Sequence, residues 1–468
     1  MHTGRHSQPE RVTRPERAVD APPQWMTEFR GVWAGIVVMY ATIALILIAL
    51  PAALLQTSVE ASASFDRSAE DILRGEYLAA YSPEALWRRV VEAIAGKPEK
   101  EPWVPSGINY GNTRVPLKPE TAPICMAWQY RPKTLAAVPK GVNALAPTWF
   151  YVEDAGGVAE VNALDELLEV KISNWQPMQY IKTAHEAGAQ VWATVVCIGT
   201  PKLARQIVTD EACRARFLSR VTGWVQEYGL DGINFDFEKM YQEDAAAFTN
   251  LVDQCKQALP PGKVVSVSVT VPLKNPEGNL WQCYDREGLG RVADYVAVMT
   301  YDNPDLQPVA AIDWVEGKVN DMLDVVPSYK LLLGVPFYGV DFVHPLPEGS
   351  GRITELPAMA GATTRKTMTP SGITALLTKG AYTSGGKEVK LDYWVDQGSW
   401  LQDKAVMQYA FVDTDRRLHL IYCEEVQSLE AKGRLLAFER LGGAAVWRME
   451  FGSEPLWAAL GKGMNAVK

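Results

Sequence analysis

From residue 121 onward, hydrophobic and polar positions follow two alternating patterns. Short apolar, β-branched runs typical of buried strands are separated by stretches whose apolar residues fall on one face of a helix. Alternation of strand and helix predicts a parallel sheet, and eight units favour a (β/α)8 TIM barrel over a doubly wound sheet. The predicted strands are 124–130, 148–154, 190–198, 231–238, 264–272, 295–302, 331–339 and 444–450.

The spacing of these strands also predicts an insertion. About 100 residues separate the seventh strand from the eighth, far more than one helix and its loops require. We expect an α+β lobe over about 341–425, inserted into a barrel domain that spans 121–462. Because active residues of such barrels lie at the carboxyl ends of the strands, the lobe is expected at that face.

One helix has clear boundary signals. The helical stretch ACRARFLSRVTGWVQEYG follows Thr209 and Asp210, whose side chains are suited to capping a helix start. It ends at Gly229, a residue typical of helix C-caps.

A different hydrophobic pattern occupies residues 31–55, which carry no charge at all. This run is long enough to cross a lipid bilayer as a transmembrane helix. Arginines precede it in excess, whereas the residues just after it are mixed in charge, so the positive-inside rule predicts a cytoplasmic N-terminus and an exported C-terminal part. The sequence thus predicts a single-pass protein of the cell membrane. The preceding arginines are Arg5, Arg11, Arg14, Arg17 and Arg30.

The surrounding segments complete this organisation. Residues 1–30 are rich in Arg, Pro and Glu and are predicted to form a disordered cytoplasmic tail. Residues 56–120 are predicted to be an extracytoplasmic spacer. A cleaved signal peptide is an alternative, since Ala61-Ser62-Ala63 resembles a cleavage site, but its apolar core would be shorter. A buried core helix would not normally be apolar on every face over this length.

Composition narrows the function. A net charge of −9 argues against a general nucleic-acid binder, which needs basic residues to neutralise phosphates. Only five histidines occur, two of them in the first six residues, so His-based triads and multi-His metal sites are disfavoured. The 15 tryptophans are typical of surfaces that stack on sugars or pack at interfaces.

The six cysteines show no CxxC motif and no metal-ligand spacing. Cys125 and Cys197 fall in apolar, strand-like runs, where a buried free thiol is favoured. Pairing in an exported domain is an alternative that the sequence leaves open.

The fourth predicted strand, DGINFDFE, carries the most informative polar pattern. Its period of two puts Ile233, Phe235 and Phe237 on one face and the polar side chains of Asn234, Asp236 and Glu238 on the other. In a barrel the apolar face meets the helices, so the polar face points inward. Two neighbouring carboxylates there raise the pKa of one, which suits a general acid. An exposed antiparallel strand is the alternative, which a parallel sheet disfavours.

The segment DGINFDFE resembles the signature of family 18 glycoside hydrolases, in which Asp and Glu occupy alternating positions of the fourth strand. Asp231, Asp236 and Glu238 match, and Asn234 replaces the middle Asp, as is usual in the bacterial spore-germination and cortex-lytic branch. Further similar motifs are TWF (148–150), MTYD (299–302), GVPFYG (334–339) and GGAAVWR (442–448).

The resemblance implies a retaining hydrolase in which the substrate's own 2-acetamido oxygen attacks the anomeric carbon. It implies that Glu238 is the acid and base, that Asp236 orients the acetamido N–H, and that Tyr301 hydrogen bonds the acetamido oxygen. Trp447 is expected to form the floor of the sugar subsite, with Met299 beside it. For Trp447 and Tyr301, simple core packing is an alternative.

The same resemblance implies supporting positions and a substrate class. Asn234 and Asp231 are expected to hold Asp236 in position, although Asp231 could also be structural, and Asp302 is placed only near the cleft. No metal or cofactor is implied. The substrate is expected to be an N-acetylated polysaccharide, with peptidoglycan cleaved after N-acetylglucosamine as the leading candidate. Chitin, N-glycan cores and non-hydrolytic sugar binding are the alternatives.

Overall fold

The computed structural model describes residues 122–466, except 169, 171, 272, 275–279, 282, 304–306 and 358–363. The predicted tail (1–30), transmembrane helix (31–55) and spacer (56–120) lie outside the described residues. None of the helices that are described is long and apolar enough to cross a membrane.

The described strands follow the predicted order closely. In chain order they are β1 (Ile124–Gln129), β2 (Ala144–Asp154), β3 (Ala159–Ala163), β4 (Gln190–Cys197), β5 (Gly232–Phe237), β6 (Val264–Thr270), β7 (Leu273–Lys274), β8 (Leu280–Trp281), β9 (Tyr295–Met299), β10 (Leu331–Pro336), β11 (Gly339–Pro345), β12 (Thr364–Met368), β13 (Ala381–Ser384), β14 (Lys387–Leu401), β15 (Val406–Asp413), β16 (Arg417–Cys423) and β17 (Gly443–Trp447).

Helices follow most of the barrel strands. In chain order they are α1 (Pro177–Glu186), α2 (Pro201–Thr209), α3 (Glu211–Tyr228), α4 (Ala245–Ala258), α5 (Arg286–Val292), α6 (Ile312–Leu323), α7 (Pro370–Lys379), α8 (Val426–Phe438) and α9 (Glu454–Met464).

Within the described residues, eight parallel strands close into the predicted barrel. Their order is β1-β17-β10-β9-β6-β5-β4-β2, and β1 also pairs with β2, which closes the sheet. The short strand β3 pairs antiparallel with the end of β2 and was not expected from the sequence. Its sequence, AEVNA, alternates apolar and polar residues but contains a single β-branched residue, so it is a weak strand signal.

The sequence signals at α3 act as predicted. The Asp210 side chain accepts a hydrogen bond from the Cys213 N–H at 2.7 Å, which satisfies one of the free donors at the helix start. At the other end Gly229 adopts a left-handed conformation, with φ of +70°. This conformation is easy for glycine and strained for other residues, so the chain stops there and turns into β5.

An antiparallel lobe lies between the seventh and eighth barrel strands. Its six strands are ordered β12-β11-β16-β15-β14-β13, and α7 packs beside them. Strand β11 begins at Gly339, only three residues after β10 ends, so the lobe continues directly from the carboxyl end of a barrel strand. This is the face where barrel enzymes carry their active residues.

A buried ionic cluster holds the lobe together. The ring of His419 lies between two buried carboxylates, with Nδ1 2.9 Å from Asp341 Oδ2 and Nε2 3.2 Å from Asp413 Oδ2. Arg417 pairs with the same Asp413, and the ring of Phe411 stacks on the imidazole. The Tyr382 hydroxyl also donates to Asp341, so both buried carboxylates have hydrogen-bond partners within the sheet.

All six cysteines lie in the described part of the chain, and each is buried and free. The free state favoured for Cys125 and Cys197 is confirmed. Burial raises the pKa of each of these two thiols to about 12, so they behave as apolar core residues rather than reactive groups.

Candidate active site

The apolar and polar faces of β5 point as predicted. Phe235 and Phe237 pack on the outer side, where Phe237 stacks on Phe248 of α4 at 5.2 Å. The other face points into the barrel, because Asn234 pairs in register with Thr194 of β4 and Ser266 of β6. The alternative of a water-facing antiparallel strand is therefore wrong.

Asn234 is completely buried and forms the centre of a polar layer across the barrel. Its amide nitrogen donates to Ser268 Oγ at 3.1 Å and to Thr194 Oγ1 at 3.3 Å. Its carbonyl oxygen accepts from Ser266 Oγ at 2.8 Å. These bonds satisfy a buried amide that would otherwise be costly, and they fix the strand that carries the acids.

Asp236 lies two residues further along the same inward face. Burial raises the pKa of its carboxyl well above the usual range, and the nearby Glu238 carboxylate raises it further. Its Oδ1 atom is buried without a hydrogen-bond partner among the described residues. An unpaired buried acceptor is rare in folded proteins, so this oxygen is free to receive a donor from a bound molecule.

Glu238 follows directly after the strand, at the carboxyl end of the barrel. Its backbone N–H donates to Cys197 O at 3.3 Å, which holds it against the end of β4. Burial raises the pKa of its side chain; Lys239 partly opposes this, and the negative charge of Asp302 adds to it. A carboxyl with a raised pKa stays protonated closer to neutral pH, as a general acid requires.

Tyr284, which the sequence gave no reason to select, supports the end of the acid strand. Its hydroxyl donates to the backbone oxygen of Phe237 at 2.8 Å. Burial raises the pKa of this hydroxyl well above its normal value, and the charges of Asp236 and Glu238 contribute. Tyr284 therefore remains a neutral donor that fixes the backbone between the two acids.

The expectation that Asp231 helps to hold Asp236 is wrong. Asp231 precedes β5, and at about 3.3 Å per residue it lies about 16 Å from Asp236 along the strand. Its carboxylate is 2.7 Å from His185 Nε2 and accepts the Val191 N–H at 2.9 Å. These contacts tie α1 and β4 to the amino end of the barrel, so Asp231 has the structural role that the sequence left open.

Met299 and Tyr301 lie on the inward side near the acids. Met299 ends β9 and pairs with Thr270 of β6. Two residues earlier on β6, Ser268 pairs with Asp236. Tyr301 is buried just beyond the strand. Burial raises the pKa of its hydroxyl well above the usual value, with added effects from Tyr338 and the site acids, so the hydroxyl keeps its proton as a hydrogen-bond donor.

Trp447 ends β17, and its ring lies edge-on to Trp128 of β1, with 6.3 Å between the ring centroids. In the order of the barrel sheet, three strands separate β17 from β5 in either direction. Trp447 therefore faces the acids across the barrel mouth. The ring is only partly buried, so core packing leaves part of it open.

Asp302 marks the point where the lobe reaches the site. Its carboxylate pairs with Arg365 of β12, with Oδ1 3.2 Å from Nη2, and it is hydrogen bonded to the Tyr338 hydroxyl. The backbone of Asp302 has φ of +58°, a conformation that is uncommon for a residue other than glycine. The sequence placed Asp302 near the cleft but did not identify Tyr338 or Arg365, because the lobe's fold brings Arg365 there from 63 positions away.

The described part of the site contains acids but no arrangement suited to a metal. Among the described residues, no group of three or more His, Cys, Asp or Glu side chains is placed to hold a metal ion. What the geometry provides is an inward-facing pair of carboxyls with raised pKa values, a neutral tyrosine, and an indole ring opposite them. This combination can donate a proton to a substrate that lies on the ring.

Comparison with known proteins agrees with this geometry. The family model for glycosyl hydrolases family 18 matches residues 151–452. The uncharacterized glycosylase YvbX of Bacillus subtilis is 26% identical over 332 residues, which cover 69% of this chain and 85% of that protein. The cortical fragment-lytic enzyme of Bacillus anthracis is 23% identical over 273 residues, and the match covers 57% of each chain. The chain thus spans just over half the length of that relative.

Solved structures share the fold. The spore cortex-lytic enzyme SleL of Bacillus cereus matches with a TM-score of 0.56 at 18% identity, covering 75% of this chain and 76% of that one. A chitinase from Chromobacterium violaceum matches with a TM-score of 0.56 at 20% identity, covering 74% of this chain and 99% of that one. With the family model matched over most of the barrel and the acid strand in place, the chain belongs to glycosyl hydrolase family 18.

Proposed function

We propose that this glycosidase cleaves the β-1,4 bond after N-acetylglucosamine in peptidoglycan, with retention and with help from the substrate. The observation that supports this proposal is the pair of acids Asp236 and Glu238. Both have raised pKa values, and they face Trp447 across the barrel mouth. A retaining enzyme that uses a second carboxylate as nucleophile is the usual alternative, and family 18 is an exception to it.

The proposed first step breaks the glycosidic bond. Protonated Glu238 donates its proton to the glycosidic oxygen, and the bond from that oxygen to the anomeric carbon breaks. The acetamido oxygen of the same sugar forms a new bond to the anomeric carbon, which gives a cyclic oxazolinium ion. Asp236 accepts a hydrogen bond from the acetamido N–H through its unpaired Oδ1, and the Tyr301 hydroxyl donates to the acetamido oxygen.

The proposed second step returns the enzyme to its starting state. Glu238, now a carboxylate, takes a proton from water while the water oxygen attacks the anomeric carbon. The oxazolinium ring opens, and because the carbon has been attacked twice from opposite sides, its configuration is retained. Trp447, with Met299 beside it, forms the surface on which the sugar ring lies, and Asp302 lines the cleft on the lobe side.

Two observations favour peptidoglycan over other N-acetylated glycans as the proposed substrate. Relatives of this chain include a cortical fragment-lytic enzyme, and residues 31–55 have the composition of a membrane anchor that would export the barrel. In this proposal the N-terminal tail is cytoplasmic and the bilayer holds the enzyme beside the wall. Retention of both acids counts against a protein that only binds sugar.

The direct test replaces the acid. Glu238→Gln keeps the side-chain size but removes the proton donor, so release of reducing ends from purified wall glycan should fall by about 10²- to 10⁴-fold while glycan binding persists. Glu186→Gln is the matched control, because Glu186 is exposed, pairs with Lys182 within α1, and ends that helix just before β4 begins, at the amino end of the barrel. Wild-type product levels from Glu238→Gln would overturn the role of Glu238.

A thiazoline analogue of the oxazolinium should inhibit the wild type, and indifference to it would argue against substrate assistance.

A further inference from the structure

A pair of arginines borders the site on the side opposite the acids. Arg448 directly follows Trp447, and Arg131 lies two residues after the end of β1. Between them stands Tyr130, whose side chain is about half exposed, at 48%. We call Tyr130, Arg131 and Arg448 the arginine rim.

Aromatic rings hold both guanidinium groups in place. Each lies 5.4 Å from the centroid of the Tyr130 ring. Arg131 also lies 4.7 Å from the Tyr151 ring, and Arg448 lies 4.5 Å from the Phe451 ring. Contacts of this kind hold a cation in place without neutralising its charge.

The rim keeps a positive charge although acids lie nearby. Arg448 Nε is 3.5 Å from Glu450 Oε2, while the other oxygen of Glu450 accepts the Tyr130 N–H. Among the described residues Arg131 has no ion-pair partner; its guanidinium hydrogen bonds the Tyr151 hydroxyl, and the charge of Glu153 acts on it from farther away. The Nε atoms of both arginines are buried without a hydrogen-bond partner among the described residues.

The backbone of Arg131 is held in a fixed conformation beyond the end of β1. Its φ of +48° is uncommon for a residue with a side chain, and its N–H donates to Thr148 Oγ1 at 2.7 Å. Such a conformation persists only where the surrounding structure fixes it. Arg131 is therefore placed at the end of β1 rather than left to move freely.

The position of the rim relates it to the bound sugar. Trp128, two residues before Tyr130, contacts the edge of Trp447, the proposed floor of the subsite. A glycan that lies on Trp447 with its scissile bond towards Glu238 therefore brings a neighbouring unit, or a substituent of the same unit, to the arginine rim. A neutral polysaccharide offers these two cations no charged partner.

We propose that the arginine rim binds a carboxylate carried by a muramyl unit of the glycan. This inference rests on the proposed function and names the group that distinguishes its substrate from chitin. A guanidinium presents a planar fork that matches a carboxylate, which makes arginine suited to this task. The carboxylate has two possible sources, the free lactyl group of a muramyl unit without peptide, or the stem peptide attached to it.

The test measures binding, so that it does not depend on turnover. In the full chain carrying Glu238→Gln, affinity is measured for a muramyl-containing tetrasaccharide and for its methyl ester, which lacks the charge. A second pair of probes carries the stem peptide with free or esterified carboxyls. We expect the acid to bind about tenfold or more tightly than the ester in at least one pair. The pair that shows the preference identifies the source.

Adding Arg131→Gln and Arg448→Gln together to the chain that carries Glu238→Gln should reduce the ratio of acid affinity to ester affinity to about one. Arg220→Gln is the matched control, because Arg220 also lies over an aromatic ring, Trp224 at 4.8 Å, but on α3. It should leave the ratio unchanged. If the rim only supported Trp447, both affinities would fall together and the ratio would persist, which would overturn the inference.

Failure of this inference can be told apart from failure of the proposed function. A wild type that releases reducing ends from peptidoglycan but shows no preference for the acid in either pair overturns only the arginine rim. A wild type that cleaves chitin fragments and releases nothing from any muramyl glycan contradicts the proposed substrate, and the rim inference fails with it.

Discussion

At the residue scale, the chemistry depends on where two carboxyls are forced to lie. Asp236 and Glu238 are two positions apart at the end of β5, and burial raises the pKa of each. The polar layer around Asn234 fixes the strand below them, and Tyr284 fixes the backbone between them. The fold thus favours the protonated form of these acids more than water does.

Asp302 provides a specific test of this electrostatic account. Its negative charge contributes to the raised pKa of Glu238, so Asp302→Asn should lower that pKa. Because the protonated acid is the active form, activity is lost as pH rises through this pKa, and the alkaline limb of kcat/KM should move to lower pH. A pH profile of the wild type and the variant measures the shift.

The control for this measurement is Asp313→Asn. Asp313 is an exposed acid on α6 that pairs with Lys404, and its replacement should leave the alkaline limb in place. A variant at Asp302 with a raised KM and an unmoved limb would mean that Asp302 contacts the substrate without tuning Glu238.

At the scale of elements, the barrel strands could be predicted and the contacts between distant elements could not. Short apolar runs indicated all eight barrel strands, and the alternation in β5 indicated its inward face. The second barrel strand, β2, begins at residue 144, four residues before the predicted start. The sequence did not indicate this because Ala144–Pro147 lacks β-branched residues and contains a proline. The sixth barrel strand, β9, ends at Met299, three residues before the predicted end. Asp302, at that predicted end, has a positive φ, which is not a strand conformation.

The same limit applies to the site: residues on one strand could be predicted, and residues from distant elements could not. The acids lie on one strand, so their period reveals them. Arg365 and Arg448 reach the mouth from the lobe and from the last barrel strand, and no local pattern marks such residues. Asp231 was misplaced because its role was taken from the motif match, although its place at the start of the predicted strand already put it at the amino end of the barrel, far from Asp236.

The lobe offers a prediction at the scale of its sheet. Burial alone would raise the pKa of Asp413, but hydrogen bonds from Arg417 and His419 outweigh it and lower that pKa. Asp413→Asn removes a buried charge that both partners need, so stability at pH 7 should fall by about 3 kcal/mol. Chemical unfolding measures this. Asp415→Asn is the control, because exposed Asp415 also pairs with Arg417 and should change stability by about 1 kcal/mol or less.

The same cluster gives the sign of the pH dependence. A carboxyl whose pKa is lowered in the folded state stabilises the protein above its unfolded pKa of about 3.9, and this contribution is lost as pH falls through the folded pKa. The difference between wild type and Asp413→Asn should therefore shrink in acid. Equal losses from the Asp413 and Asp415 variants, or a difference that is constant with pH, would contradict the account.

At the scale of the whole molecule, the chain combines a family 18 glycosidase barrel with an N-terminal region of very different composition. The lobe continues from β10, and its Arg365 pairs with Asp302 of the barrel. The arginine rim lies on the other side of the mouth. In the proposed function, the uncharged run at residues 31–55 anchors the chain in the membrane.

The proposed anchor predicts how the full chain fractionates. The expressed protein should remain in the membrane pellet after alkaline carbonate extraction, and a variant without residues 31–55 should be released. In intact spheroplasts, added protease should digest the barrel while the N-terminal tail is protected. A mature protein whose mass lacks residues 1–63 would instead support a cleaved signal peptide.

The central claim is that the enzyme cleaves peptidoglycan after N-acetylglucosamine, and mass spectrometry of the digestion products tests it most directly. Purified peptidoglycan is digested, the new reducing ends are reduced with borohydride, and the sugar at each end is identified by fragmentation. We predict reduced N-acetylglucosamine at the new ends, and none from the Glu238→Gln variant. Reduced N-acetylmuramic acid at those ends, or no fragments from the wild type, would contradict it.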